Sequence, residues 1–123
     1  MAAVLLYREW MSLKGKHKMD HKDVIAMIEG TSLPYSYDHF AEGEVPELPY
    51  IAFRYPASDN TAADGMTYLT SARLNIELYS DIKDPAAEEK VEAVLNSYGI
   101  IFNKSEEWIE SEKLYEVLYE MEV

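Results

Sequence analysis

An acidic helix followed by strand-like alternation in the last third of the chain constrains the fold more than any other feature. Asp84 offers an N-cap oxygen, Pro85 suits a first helical turn, Glu88 and Glu89 lie at the positive end of the helix dipole, and Gly99 fits the left-handed position after the helix end. Val91, Val94, Leu95 and Tyr98 recur at three- and four-residue spacing, which gives one apolar stripe. Beyond it, Ile100 to Asn103 predicts a strand and Lys104 to Glu107 a turn. Tyr115, Val117, Tyr119 and Met121 predict one face of a final strand, with glutamates on the other. A helix with one stripe to bury and strands with one face to bury require layered packing.

The preceding residues supply the other layer. Asp20 predicts an N-cap, Val24, Ile25, Met27 and Ile28 an apolar stripe, and Gly30 a stop. Tyr35 to Phe40 reads as a strand with Tyr35, Tyr37 and His39 on one face. Ala41 to Pro49 is a charged loop in which Pro46 and Pro49 mark a break or an edge. Tyr50 to Tyr55 alternates Ile51, Phe53 and Tyr55 against Tyr50, Ala52 and Arg54. Its partner is expected within Thr67 to Ser80, where Leu74, Ile76 and Leu78 share a face. The Pro56 to Met66 segment between them is longer than a tight hairpin, with Asp64-Gly65 as turn chemistry. The fold class is therefore α+β: an antiparallel or mixed sheet of four to five strands with two helices packed on one face.

At 123 residues and 48% hydrophobic content, the chain suits one domain with a single core. It has no cysteine, which excludes disulfides, thiolate metal sites and cysteine nucleophiles. The net charge is −12, and residues 1–18 carry +3 from Arg8, Lys14, Lys16 and Lys18 against Glu9, so residues 19–123 carry −15. A body this acidic repels phosphate backbones, and tight nucleic-acid binding is not expected. No apolar run approaches the roughly 20 residues that span a bilayer, and Ala2 to Tyr7 has neither the basic flank nor the cleavage site of an export signal. No membrane association is expected.

Residues 1–18 form a flexible or mis-assigned extension in this reading, and the single domain covers 19–123. Three alternatives stay open for the extension: a start at Met19, a loosely attached helix using Leu6, Trp10 and Leu13, or a basic arm with its own partner.

Candidate chemistry is sparse. His17, Asp20 and His21 have partial metal-ligand spacing, yet Gly15 and a capping Asp20 argue against a continuous helix, so solvated or capping roles are expected and no metal. Asp38-His39 resembles half of an acid-base pair, but Ser36 is too close along the strand to complete it, and a structural histidine is the simpler reading. The pairs Glu106-Glu107, Glu110-Glu112 and Glu120-Glu122 match the wet face of a strand or turn rather than a general acid and base. Asp59, Asp64 and Asp81 do not reproduce a calcium loop, and the five glycines form no phosphate cradle. No catalytic residue and no cofactor is expected. The ten tyrosines are the compositional excess. They suit half-buried strands and also partner surfaces, and part of this aromatic surface is expected to serve a partner.

Several phrases carry a family resemblance: Leu33 to Phe40, Pro49 to Tyr55, Ser58-Asp59-Asn60, Ile76 to Ser80, Lys83-Asp84-Pro85 through Leu95, and Glu110 to Val117. Over nearly all of Met19 to Val123 the chain resembles the small tail-completion proteins of siphophages and Gram-positive prophages, the tail terminator and head-tail joining families. The resemblance implies a structural, non-enzymatic subunit that forms a ring, usually hexameric, at the head-proximal end of a tail. Its partners would be itself, the tail tube protein and head connector proteins, in a virion assembled in the bacterial host cytoplasm. Tyr50, Arg54, Ser58, Asp59, Asn60, Asp64, Tyr68 and Tyr79 are the candidate oligomer or partner contacts. Two other readings are an acidic protein-binding module or regulator unrelated to virions, and a hydrolase or metal enzyme built from the scattered histidines and carboxylates.

Overall fold

The computed structural model describes residues 19–41, 43–56 and 73–123. Helix α1 (His21–Glu29) opens with a capping box: the Asp20 carboxylate accepts from Asp23 N at 2.9 Å, and Asp20 N donates to the Asp23 carboxylate at 3.0 Å. Val24, Met27 and Ile28 turn inward and are almost fully buried. The chain then enters strand β1 (Tyr35–Tyr37), crosses to β2 (Tyr50–Arg54), and continues through β3 (Arg73–Ser80), α2 (Pro85–Ser97), β4 (Phe102–Ile109) and β5 (Leu114–Glu122).

The five strands form one mixed sheet in the order β1-β2-β3-β5-β4, parallel between β1 and β2 and antiparallel elsewhere. β3, α2 and β4 make a crossover unit into which β5 is inserted, pairing β3 on one side and β4 on the other. The predicted α+β architecture, with two helices and a mixed sheet, is observed.

One face of the sheet is the core. Ile51 and Phe53, Leu74, Ile76 and Leu78, and Val117 and Tyr119 meet Val24, Met27 and Ile28 of α1 and Val91 and Leu95 of α2, all at most 1% exposed. Gly30 works here by its size. A Cβ built on it would lie 3.1 Å from Met27 O and 3.5 Å from a Val94 methyl, so its bareness lets α1 end against α2. The left-handed residue of that turn is Ser32, at φ 65°. At the end of α2 the expected geometry holds: Gly99 has φ 71°, and Ile100 N bonds back to Leu95 O at 3.0 Å.

Two expectations are corrected. β1 stops at Tyr37 rather than running to Phe40, because Asp38 adopts φ 72°, which turns the chain out of the sheet and carries His39 away from the Tyr35–Tyr37 face. The stretch Lys104 to Glu107, expected as a turn, is the middle of an eight-residue β4, and the turn lies at Glu110 to Lys113 instead, with Lys113 at φ 54°. Alternation failed as a guide there because both faces of β4 are polar. The expected strand start at Thr67, the turn at Asp64-Gly65 and the Leu6, Trp10 and Leu13 helix fall outside the described residues.

Candidate functional site: the helix-free face of the sheet

The pleat sends Tyr50, Ala52 and Arg54 of β2 to the face opposite the core. Asn75, Glu77 and Tyr79 of β3 and Glu116, Leu118 and Glu120 of β5 join them there. Neither helix covers this face, since the buried stripes of both belong to the core on the other side. The register sets Tyr50 opposite Tyr79, Ala52 opposite Glu77 and Tyr79 opposite Glu116. The Tyr50 and Tyr79 rings lie 5.5 Å apart at 39°, and Phe40 meets Tyr50 edge-on at 5.2 Å.

At the centre is a tyrosine held between two carboxylates. The Tyr79 hydroxyl donates to Glu77 Oε1 at 2.9 Å, with Glu116 Oε2 at 3.4 Å, and Arg54 Nη2 stands 3.4 Å from Glu77 Oε2. Burial, then the negative charges of Glu77 and Glu116, push the Tyr79 phenol far above its ordinary range, so it stays a hydrogen-bond donor. Burial raises the Glu116 carboxyl as well, followed by repulsion from Glu77 and from Glu107 on β4. Tyr50 is raised by burial and by Glu112. These bonds fix the orientation of the Tyr79 ring and of the Glu77 carboxylate on the face.

Of the candidate contacts, Tyr50, Arg54 and Tyr79 are thus brought together. Ser58, Asp59, Asn60, Asp64 and Tyr68 lie outside the described residues. Sequence reasoning placed Glu116 only among the glutamates on the far face of the final strand and did not single out Glu77. Their closeness depends on the pairing of β3 with β5, which the alternation of each strand alone does not specify.

The other chemistry-bearing groups sit elsewhere. His39 Nδ1 lies 2.8 Å from Asp38 Oδ2 on the surface, with the His39 side chain 76% exposed, so it is not a structural histidine of the core. Ser36 Oγ donates to the His39 carbonyl at 2.8 Å instead of meeting its ring. His21 stays exposed, as expected, but has neighbours: its ring meets those of Tyr37 at 5.1 Å and Tyr55 at 5.6 Å, and its Nδ1 is 2.7 Å from the Tyr55 hydroxyl. Burial, then Tyr37 and Asp20, pushes the Tyr55 phenol up to about 12. Asp20 is occupied in the cap, and His17 lies outside the described residues.

A third cluster joins α2 to β4. Lys104 Nζ donates to Glu88 Oε1 at 2.8 Å and lies 2.7 Å from Glu92 Oε2, while Lys83 Nζ reaches Glu106 at 2.7 Å and Glu88 Oε1 at 3.0 Å. Glu88 Oε2 is buried without a well-directed donor, although Lys83 Nζ is 2.9 Å away as an ion-pair partner. Tyr119 donates to Glu92 at 2.8 Å, and Tyr115 donates to Glu106. Glu106 is therefore exposed, as its sequence context suggests, but it is ion-paired on the helix side of β4.

Among the described residues, no group of three or more histidine or acidic side chains is placed to hold a metal ion, and no helix is long and apolar enough to cross a membrane. Comparison of the chain with family models, with curated proteins and with solved structures finds no match in any of the three.

Proposed function

We propose that this chain is a structural assembly subunit of a siphophage, forming a ring at the head-proximal end of the tail as a tail terminator or head-tail joining protein. The reading rests on the resemblance of residues 19–123 to those families. The observation that supports it best is the helix-free sheet face, where Tyr50, Tyr79 and Arg54 are aligned on a rigid β2-β3-β5 platform. Aromatic rings and an arginine on a firm surface are the residues that dominate protein contacts. In this reading the protein catalyses nothing. Its partners are other copies of itself, the tail tube protein and the head connector, and the −15 body would repel DNA passing through the lumen.

Electron microscopy of particles made without the gene tests the proposal. Overlong tails identify a terminator, and full heads beside finished separate tails identify a joining protein. Normal infectious particles lacking the protein would refute both.

The surplus of carboxylates on the same face favours a second reading, an acidic module that binds a basic protein. Among the described residues, Arg54 is the one cation ion-paired there, against Glu77, Glu107, Glu116 and Glu120. Capture of a basic partner by a protein that never enters virions would support that alternative.

A further inference from the structure

A groove of about 890 Å³ opens at the end of the sheet formed by Arg73, Phe102 and Val123, where Asn75 and Glu120 also border the helix-free face. Met19, Ile100, Ile101, Phe102, Met121 and Val123 supply its apolar lining, and Glu120, Glu122 and Arg73, which lies opposite Glu122, its charged wall. Ile101 is 90% exposed, an unusual position for a large aliphatic side chain beside other apolar groups. The size is that of pockets that enclose small molecules, but such pockets add convergent, pre-organised polar groups. Here the charged lining residues lie on exposed positions of the sheet. The groove therefore suits an apolar chain segment better than a polar metabolite.

Met19, itself buried in the groove wall, is the first described residue, and residues 1–18 are covalently joined to it. Eighteen residues reach up to about 60 Å when extended, far more than the groove needs. They carry Leu6, Trp10 and Leu13 at four- and three-residue spacing, and a charge of +3 facing a domain of −15. Tethering adds a high effective concentration at no cost in contacts. We infer that residues 1–18 of the same chain occupy this groove, with Leu6, Trp10 and Leu13 against Ile101 and Phe102, and with the lysines toward Glu120 and Glu122.

The full chain contains two tryptophans, Trp10 and Trp108, so W108F leaves Trp10 as the sole reporter. In W108F, Trp10 emission is expected to be blue-shifted and severalfold less quenched by acrylamide than in the unfolded chain. The shift should be lost in W108F/I101D and in W108F/E120K/E122K, whose altered side chains are exposed, while far-UV circular dichroism and the urea midpoint stay near those of W108F. Measurements at protein concentrations where light scattering reports a monomer keep the contact within one chain. Trp10 quenched equally in all three variants would overturn the inference. Protection that appears only as dimers form would overturn it in favour of a neighbouring copy as the occupant.

Discussion

Helix α2 has two flanks, and they hold the sheet by opposite means. On one, Ala87, Val91 and Leu95 pack into the apolar core over the central strands. On the other, Glu88 and Glu92 reach the edge strand β4 through Lys104, and Lys83 bridges to Glu106. The apolar flank gains from removing surface from water and is indifferent to pH and salt. The charged flank must offset the desolvation of Glu88, whose side chain is 6% exposed, and does so only while both lysines stay in place. One helix thus carries a condition-independent attachment and a condition-dependent one.

The sharpest way to break the comparison is to cut each flank separately. Leu95→Ala leaves a void under α2 and is expected to cost about 2–5 kcal/mol in urea unfolding, equally at low and high salt. Lys104→Met removes one of two cations from Glu88 while keeping the side chain's bulk. The expected loss is about 1–3 kcal/mol at low salt, moderated by the remaining Lys83 and by the partial exposure of Lys104, and smaller in 1 M salt. Equal salt dependence of the two variants would erase the distinction.

Acid sharpens it further. Burial would raise the Glu92 carboxyl, but the hydrogen bonds from Lys104 and Tyr119 and the nearby lysine charges outweigh it and hold the group below its ordinary value of 4.5. The Lys83 and Tyr115 hydrogen bonds lower Glu106 in the same way. A depressed carboxyl stabilises the fold above its unfolded pKa, so this contribution is present at neutral pH and is lost as pH falls below about 4.5 through the folded values. Glu116 on the helix-free face has the opposite sign. Its raised pKa favours the fold below the unfolded value, and that contribution disappears as pH rises through the folded one. Urea midpoints between pH 7 and pH 3 should show Glu92→Gln weakening the protein at pH 7 and converging on the parent in acid. Glu116→Gln should leave it at least as stable at pH 7 and make the acid loss steeper.

The smallest effect is expected at the far end of β4. Lys113 adopts φ 54° in the turn to β5, and its pairing with Glu110 joins two side chains more than 70% exposed. Lys113→Gly relieves the left-handed strain and loses an ion pair of little worth, for a net gain of up to about 1 kcal/mol read from thermal or urea unfolding.

The two flanks also explain what could be read from the chain beforehand. The stripe Val91, Leu95 and the caps Asp84 and Gly99 are local signals, and they placed α2 in full. The alternation of Leu74, Ile76 and Leu78 and of Val117, Tyr119 and Met121 likewise gave β3 and β5, since each side of those strands meets a different medium. β4 broke this rule. Lys104 and Glu106 point to the helix and Asn103, Ser105 and Glu107 away from it, so polarity does not alternate and the segment resembled a turn. Its strand identity is imposed by eight residues of pairing with β5 and by cations and carboxylates that come from elsewhere in the chain. The platform was half legible for a related reason. Tyr50, Arg54 and Tyr79 stood out by residue type, whereas Glu77 takes its Arg54 partner from β2, and the Glu116 carboxyl is raised by burial and by Glu77 and Glu107 on other strands.

The two outer strands have a consequence for how copies of this molecule meet. β1 offers only three residues before Asp38 diverts the chain, and β4 carries Lys104, Glu106 and Glu107 along its middle. Short or charged rims resist zippering to another rim, because a docking backbone would bring unlike side chains into register with ionised ones. Growth by fusing one sheet to the next is thereby discouraged at both rims, and a second copy would meet a broad face more readily than a bare strand edge.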